Sequence, residues 1–213
     1  ATAIASLRVI RLATNLGHQR AIAIGLIEAA RAEGLDAILV LDSDGEDRPE
    51  DIAALLEAAA RHPDRIIMAQ RAKRSESLGF RIGYQAYKLM FWLATGRVIN
   101  FGNFSLLPVA AARRLIHMPE LWNNLAAAIM RSRIPFHAVP TERGQRYAGQ
   151  SRLNTAGLIT HGLSAISVYA DLVFVRILAA ASVLAGLSIL GMLAAAFIRV
   201  FTDLATPGWA TNV

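Results

Sequence analysis

The sequence predicts an α/β protein with a mostly parallel sheet, followed by one transmembrane helix. Apolar runs of strand length alternate with helical patterns through much of the chain. An acidic segment at residues 41–50 directly follows one of these apolar runs. Residues 177–198 contain no charged side chain. These observations favour a sheet-based domain whose site lies at a strand end, and a separate membrane segment.

Strands are predicted where short apolar runs end at turn or charged residues, namely residues 7–12, 37–41, 66–69, 100–107 and 134–139. Helices are predicted where apolar residues recur every three or four positions, namely residues 21–32, 49–61, 82–95 and 110–116. The early alternation of strand and helix predicts parallel pairing with right-handed crossovers. The strand at residues 100–107 is expected to cross the same sheet.

The acidic segment predicts a metal–diphosphate site. Asp42 and Asp44 follow the apolar run 37–40 and are separated by Ser43, so both carboxylates can turn toward one hard divalent cation. Such a cation keeps open positions for water and phosphate, and ligands of open sheets bind at the carboxyl edge. The alternative is an exposed acidic turn before a helix that starts at Pro49.

Other ion and phosphate motifs fit this chain poorly. A calcium EF-hand counted from Asp42 requires Gly at its sixth position and Glu at its twelfth, where this chain has Asp47 and Ala53. The sequence contains neither GxxxxGK[ST] nor GxGxxG, the usual phosphate-cradling loops.

Composition points to lipid and to anionic partners. The hydrophobic fraction is 54% and the mean hydropathy is +0.40, above the norm for soluble domains. The formal net charge is +6, but the cations are spread along the chain and no nucleic-acid-binding motif occurs, so nucleic acid is not an expected partner. Anionic lipid headgroups and phosphorylated substrates are the better candidates. The absence of cysteine excludes disulfides and a cysteine nucleophile.

The uncharged run is long enough to cross a membrane. As a helix its 22 residues would reach about 33 Å, against a hydrocarbon core of about 30 Å. A buried helix of a soluble protein is the alternative. Small residues would let another helix approach closely, which leaves a homo-oligomer open. They are Ala185, Gly186, Ser188, Gly191 and Ala195.

Two basic segments are candidates for binding anions. Arg71 and Arg81 flank the first, which also contains Lys73 and Arg74. The second is the glycine-containing loop 143–152, and it carries Arg143, Arg146 and Arg152. The segment that follows this loop, up to residue 169, is amphipathic enough to lie at a membrane surface.

Several of these motifs occur in a specific order. They are Asn15-Leu16-Gly17 with the alanine-rich helix after it, Leu41-Asp42-Ser43-Asp44 with Pro49-Glu50, Ala69-Gln70-Arg71, Gly102 and Phe104, and the loop 143–152 before a C-terminal span. In this order the chain resembles the family 2 glycosyltransferases, specifically the membrane-bound branch of dolichyl- and polyprenyl-phosphate sugar synthases. The resemblance covers residue 9 to about residue 176.

This resemblance implies a partial glycosyltransferase A-type sheet, which is Rossmann-like and binds a nucleotide sugar. Residues 1–152 are then the catalytic domain without its N-terminal nucleotide-binding strands. Residues 153–171 form a juxtamembrane segment, residues 172–201 the transmembrane helix, and residues 202–213 a loop before a missing second span. The chain starts without Met, and the 213 residues are expected to be an inactive fragment of an active hexosyltransferase.

The resemblance also implies roles for single residues. It implies inverting transfer of a sugar from a nucleotide-sugar donor to a polyprenyl phosphate, with Mg²⁺ or Mn²⁺ as cofactor. The metal would be held by Asp42, Asp44 and Glu46, and the catalytic residues would be Asp44 and Arg71. The donor or acceptor phosphates would be bound by Arg71, Arg81, Arg143, Arg146 and Arg152.

Three departures from the family pattern limit these expectations. Family members open with strands that bind the nucleotide, and we expect these strands to be missing from this chain. The sequence therefore does not indicate the donor nucleotide. Asn100 and Asn103 stand where relatives often carry an acid, so no carboxylate base is assigned there. Glu46 stands where close relatives often have Gln, although a carboxylate also suits Mg²⁺ or Mn²⁺.

Two other functions stay open at this stage. One is a membrane-tethered scaffold of a glycan-assembly complex without turnover. The other is a glycosyltransferase that extends a sugar chain, although its usual Gln-x-x-Arg-Trp-type motif is absent from the sequence. The cations on the N-terminal side of the span outnumber Arg199 beyond it, which predicts an integral membrane protein whose catalytic part faces the cytoplasm.

Overall fold

A computed structural model describes residues 6–71, 78–98, 100–148 and 155–202. The chain divides into two compact units, Ala1–Tyr169 and Ala170–Val213. The strands are β1 (Ala37–Val40), β2 (Ile66–Arg71), β3 (Ser105–Pro108) and β4 (Phe136–Thr141). The α-helices are α1 (His18–Arg31), α2 (Ile52–Arg61), α3 (Leu78–Thr95), α4 (Val109–Leu115), α5 (Leu125–Ser132), α6 (Thr155–Ser167) and α7 (Ala170–Phe201). Short 3₁₀ helices occupy Pro49–Asp51 and Pro119–Trp122.

The four strands form one mixed sheet in the order β1-β3-β2-β4. β3 is antiparallel to both β1 and β2, whereas β2 and β4 are parallel. The prediction of a mostly parallel sheet, with direct pairing of the first strands, is therefore wrong. β3 returns between β1 and β2 and takes the hydrogen bonds that they were expected to exchange. β1, β2 and β4 nevertheless run in the same direction, so their carboxyl ends lie at one edge.

Helices cover both faces of this sheet. In β2, Ile66 and Met68 pack into a cluster with α1, α4 and α5, while Ile67 and Ala69 pack into a second cluster with α2. This alternation is the period of a strand buried on both faces. The large residues of the first cluster are fully or almost fully buried, and each buried leucine contributes roughly 1.5–3 kcal/mol. They include Leu26, Leu107, Leu115, Leu121, Leu125 and Ile129.

Most predicted elements are present, with ends shifted by a few residues. The strand predicted at residues 7–12 is wrong, because the described residues 6–12 form none and Leu7 and Val9 are 85% and 74% exposed. An apolar run becomes a strand only when a neighbouring strand pairs with its backbone. Helix α5 was not predicted. Its start depends on Asn124, whose side-chain oxygen accepts from the backbone N–H of Ala127 at 2.9 Å.

The second unit consists, where it is described, of the 32-residue helix α7. It is long and apolar enough to cross a membrane, and its most apolar window is not buried. Helices within the core of soluble proteins can match its length and composition. Crossing a membrane is therefore a proposal that rests on length and composition alone.

Candidate active site

Four chain segments meet at one edge of the sheet. β1, β2 and β4 end there, and β3, which runs the other way, begins there. The segments are residues 42–47 after β1, Arg71 at the end of β2, Asn103 just before β3 and residues 143–147 after β4. This edge gathers most of the polar residues singled out by the sequence.

The loop after β1 is folded by its own acidic residues. The backbone N–H of Asp42 donates to Asp47 Oδ2 at 2.9 Å, and the backbone N–H of Glu46 donates to Asp44 Oδ1 at 3.0 Å. Gly45 lies between them with a φ of 92°, a conformation that favours glycine. The acidic residues of this loop therefore have different roles. Asp47 is 4% exposed and holds the loop together, whereas the side chains of Asp42 and Asp44 are partly exposed to solvent.

Glu46 binds two arginines of the loop after β4. Its Oε1 accepts from Arg143 Nη2 and from Arg146 Nε, each at 2.7 Å. Arg146 Nη2 also lies 3.1 Å from Asp44 Oδ2. Burial alone would raise the pKa of the Glu46 carboxyl, but the hydrogen bonds and charges of the two arginines lower it to about 2. The hydrogen bond to Glu46 raises the pKa of Arg146.

The backbones of these two loops are also joined. The N–H of Gly144 donates to Glu46 O and the N–H of Tyr147 donates to Asp44 O, both at 2.9 Å. Asp47 and Arg143 form an isolated antiparallel bridge. The approach is so close that a Cβ added to Gly144 would lie 2.1 Å from Gly45 O. Glycine at position 144 is therefore a condition for docking the loops.

A chain of side-chain hydrogen bonds runs from α5 to this edge. The buried N–H of Leu125 donates to Gln19 Oε1 at 3.0 Å, and Gln19 Nε2 donates to Asn103 Oδ1 at 3.2 Å. Asn103 Nδ2 lies 2.9 Å from His18 Nε2. His18 Nε2 in turn lies 3.7 Å from Asp42 Oδ1, and the imidazole is half exposed.

In this chain of hydrogen bonds, which we call the relay, the donor and the acceptor of each bond follow from the bond before it. Because Gln19 must accept from a backbone N–H, its amide NH₂ faces Asn103, and the NH₂ of Asn103 then faces His18. An amide NH₂ only donates, so His18 Nε2 is the acceptor and the ring proton is assigned to Nδ1. Sequence reasoning missed His18 and Gln19, although both begin the helix directly after the Asn15-Leu16-Gly17 motif.

Asp42 and Asp44 fit a divalent cation in part. They offer the hard oxygen ligands that Mg²⁺ and Mn²⁺ take, and their side chains are 35% and 33% exposed. Glu46, the expected third ligand, faces Arg143 and Arg146. Within the described residues, no three His, Asp or Glu side chains form a group that could hold a metal alone. The residues therefore fit a cation that takes further ligands from phosphate or water.

Three predicted anion-binding residues cannot be placed as side chains. Arg71 is the last residue of β2 and Arg81 lies in α3, and of each only the backbone is described. Arg152 lies outside the described residues. Of the five predicted phosphate-binding arginines, Arg143 and Arg146 are thus the pair whose contacts are known.

Comparison with known proteins identifies the family. Residues 2–121 match the model of glycosyl transferase family 2. The chain belongs to this family. It is also similar to an uncharacterized glycosyltransferase, YkcC, of Bacillus subtilis (strain 168), with 23% identity over 211 residues. That alignment covers 97% of this chain and 63% of YkcC, so the chain spans less than two thirds of this relative. Membership of family 2 supports a sugar transferase and agrees with the α/β class predicted from the sequence.

The relay gives a prediction for stability. Replacing Gln19 with Met leaves the buried N–H of Leu125 without an acceptor, so we expect a loss of about 1–3 kcal/mol in the free energy of unfolding. Gln85→Met, on an exposed position of α3, is the matched control and should change it by less than about 0.5 kcal/mol. Urea unfolding followed by tryptophan fluorescence measures both. Equal effects of the two substitutions would show that the relay contributes no stability.

The Glu46 contact gives a prediction for pH. The pKa of its carboxyl falls from an ordinary value of 4.5 to about 2 on folding, so its stabilising contribution is complete above 4.5 and is lost as pH falls toward 2. At pH 4 we expect Glu46 still ionised and bound to both arginines. Carboxyl ¹³C shifts of glutamate-labelled protein report this titration, with Glu46→Gln to assign the signal. A midpoint near 4.5 would contradict the contact.

Proposed function

We propose that the chain is the catalytic part of a membrane-bound glycosyltransferase that transfers a hexosyl group from a nucleotide sugar to a polyprenyl phosphate. Membership of family 2 supports the reaction class. Both substrates carry phosphate groups, and the composition of the candidate site suits two anions. The donor nucleotide, the sugar and the lipid length are not part of the proposal.

One observation carries this proposal most strongly. Carboxylates that follow β1 and arginines that follow β4 lie within 2.7–3.1 Å of one another at a single sheet edge. Carboxylates suit the cation that accompanies a donor diphosphate, and arginines suit a phosphate directly. A site with both can bring the leaving diphosphate and the attacking phosphate together.

The proposed reaction is a single displacement that inverts the anomeric carbon. An oxygen of the acceptor phosphate forms the new bond to that carbon while the bond to the donor diphosphate breaks, and the nucleoside diphosphate leaves with the electron pair. A phosphate monoester has its second pKa at about 6, so the acceptor is already anionic near neutral pH. A strong general base is then unnecessary, and the placement of charge carries the catalysis.

Asp42 and Asp44 are the proposed holders of Mg²⁺ or Mn²⁺. When bound, the ion supplies positive charge that neutralises the departing diphosphate. Arg143 and Arg146 are proposed to bind the acceptor phosphate, since the planar guanidinium matches the geometry of phosphate oxygens. From the sequence we assign Arg71, Arg81 and Arg152 to the same phosphates. His18 lies next to Asp42, with its Nε2 3.7 Å from Asp42 Oδ1.

The membrane part of the proposal follows from the acceptor. A polyprenyl chain is soluble only in lipid, so the transferase must work at a bilayer surface. α7 has the length and composition of a span, and two residues separate the end of α6 from the start of α7 in the sequence. The exposed apolar residues Ile159 and Leu163 of α6 suit a position at the headgroup level. Self-association through the small residues of α7 is a further part of the proposal.

Transfer by the full-length protein is the direct test of this function. Reconstituted in lipid with polyprenyl phosphate, Mn²⁺ and a panel of nucleotide sugars, it should form a sugar-labelled lipid from one donor. Asp44→Asn should lower that transfer by about 100-fold or more, because it removes a charge that holds the cation. Asp64→Asn, on an exposed turn before β2, is the matched control and should leave it unchanged.

Other outcomes of this assay would favour one of the two alternative functions. Transfer only to a soluble sugar chain would favour a chain-extending enzyme, and no transfer from any donor would favour a scaffold without turnover. Unchanged transfer by Asp44→Asn would remove Asp44 from the catalytic set.

Topology supplies a separate test of the cytoplasmic placement. Arg143, Arg146, Arg152 and Arg176 precede the apolar run and Arg199 follows it, so the positive-inside rule places the catalytic part in the cytoplasm. In sealed vesicles of known orientation, protease should reach this part only from the cytoplasmic side. Cleavage only from the opposite side would reverse the assignment.

A further inference from the structure

Glu46 lies on the same loop as the two candidate metal ligands, yet its carboxylate faces the loop after β4. One oxygen, Oε1, accepts from both Arg143 and Arg146 at 2.7 Å, and the side chain is 11% exposed. Charge-assisted hydrogen bonds of this length are the strong ones in proteins. To ligate a cation with this oxygen, Glu46 would have to give up one or both.

The side-chain and backbone contacts of Glu46 both bind the same segment, residues 143–147 after β4. Its carbonyl oxygen accepts from the N–H of Gly144, and the carbonyl of Asp44 accepts from the N–H of Tyr147. These amides lie next to the two arginines, so Glu46 holds the loop from both its main chain and its side chain. The guanidiniums of Arg143 and Arg146, on either side of Gly144 and Gln145, are thereby fixed relative to the end of β1.

Charge explains why a carboxylate is required here. Arg143 and Arg146 lie close together, and their mutual repulsion would separate them unless an anion lay between them. Glu46 supplies that anion from a nearly buried position, where the local dielectric strengthens the attraction. A glutamine of the same length would still accept hydrogen bonds but would remove the negative charge that the two guanidiniums share.

We propose that Glu46 is a positioning residue, which anchors Arg143 and Arg146 for the acceptor phosphate, and is not a metal ligand. This inference rests on the proposed function for the identity of the phosphate. The anchoring itself rests on the contacts between the two loops. Glu46 acts through the arginines and does not touch the substrate.

The test compares Glu46→Gln with Glu50→Gln in the full-length protein. Glu50 is the matched control, because it lies four residues further on, is 69% exposed and contacts only Arg48 among its described ion pairs, at 3.6 Å. Hydrogen exchange of the Gly144 and Tyr147 amides reports loop docking, and electron paramagnetic resonance of added Mn²⁺ reports metal affinity. Initial rates at varied polyprenyl phosphate separate KM from kcat.

For Glu46→Gln we expect exchange of both amides to accelerate at least tenfold, the Mn²⁺ affinity to stay within about twofold, and the KM for polyprenyl phosphate to rise about tenfold with a smaller change in kcat. Glu50→Gln should change none of these. A tenfold loss of Mn²⁺ affinity with both amides still protected would overturn the proposal and make Glu46 a metal ligand. Unchanged exchange and unchanged KM would overturn it as well.

A second variant removes docking without touching the charge. In Gly144→Ala the added methyl group would collide with Gly45 O, so the loop must move while Glu46 remains. We expect the same rise in exchange at Tyr147 and the same rise in KM, whereas Gly25→Ala on α1, where a Cβ meets nothing within 4 Å, is the control. If the wild-type protein transfers no sugar, the proposed function fails, but the exchange and Mn²⁺ measurements still decide the role of Glu46.

Discussion

The contact between the loop after β1 and the loop after β4 is the constraint on which the site depends. β1 and β4 are the outermost strands of the sheet. Three strand spacings separate them, which is roughly 14 Å. Only loops that leave the sheet and fold toward each other can join across that distance. Glu46, bound to two guanidiniums, and the backbone bonds of Gly144 and Tyr147 make this junction. Asp44 thereby comes to lie beside the guanidinium of Arg146.

The two loops form two sides of the site, and the residues before β3 form the third. Because β3 runs against its neighbours, the residues before it arrive at the edge where the other strands end. Asn103 therefore reaches His18 and Gln19 at the start of α1, and the relay extends back to the first N–H of α5. The same antiparallel strand that overturns the predicted topology thus connects the core to His18, which lies beside Asp42.

Local patterns predicted much of this fold. The periodicity around Leu26 and Leu55 and the apolar run before Asp42 correctly located α1, α2 and β1, because these signals depend only on neighbouring residues. The order of strands was not predictable, since pairing depends on partners far along the chain. The predicted strand at residues 7–12 failed for the same reason.

The candidate site shows a similar division. The Asp-x-Asp spacing located this end of the sheet, and the arginine-rich loop was predicted to bind an anion. The spacing of Glu46, however, is the same whether it faces a metal or an arginine. Only the tertiary contact with Arg143 and Arg146 distinguishes these roles. His18 and Gln19 carried no charge pattern that would have separated them from an ordinary helix start. Polar relays of this kind are visible only after the chain has folded.

We propose that both loops and Asn103 surround one cation-binding position. Amide line broadening by substoichiometric Mn²⁺ in the isotope-labelled, lipid-reconstituted protein tests this claim most directly, because the paramagnetic effect falls steeply with distance. We expect selective broadening of the amides of residues 42–47, 103 and 143–147, which Mg²⁺ in excess reverses. Broadening confined to other regions, or broadening of residues 42–47 while residues 143–147 stay sharp, would contradict it.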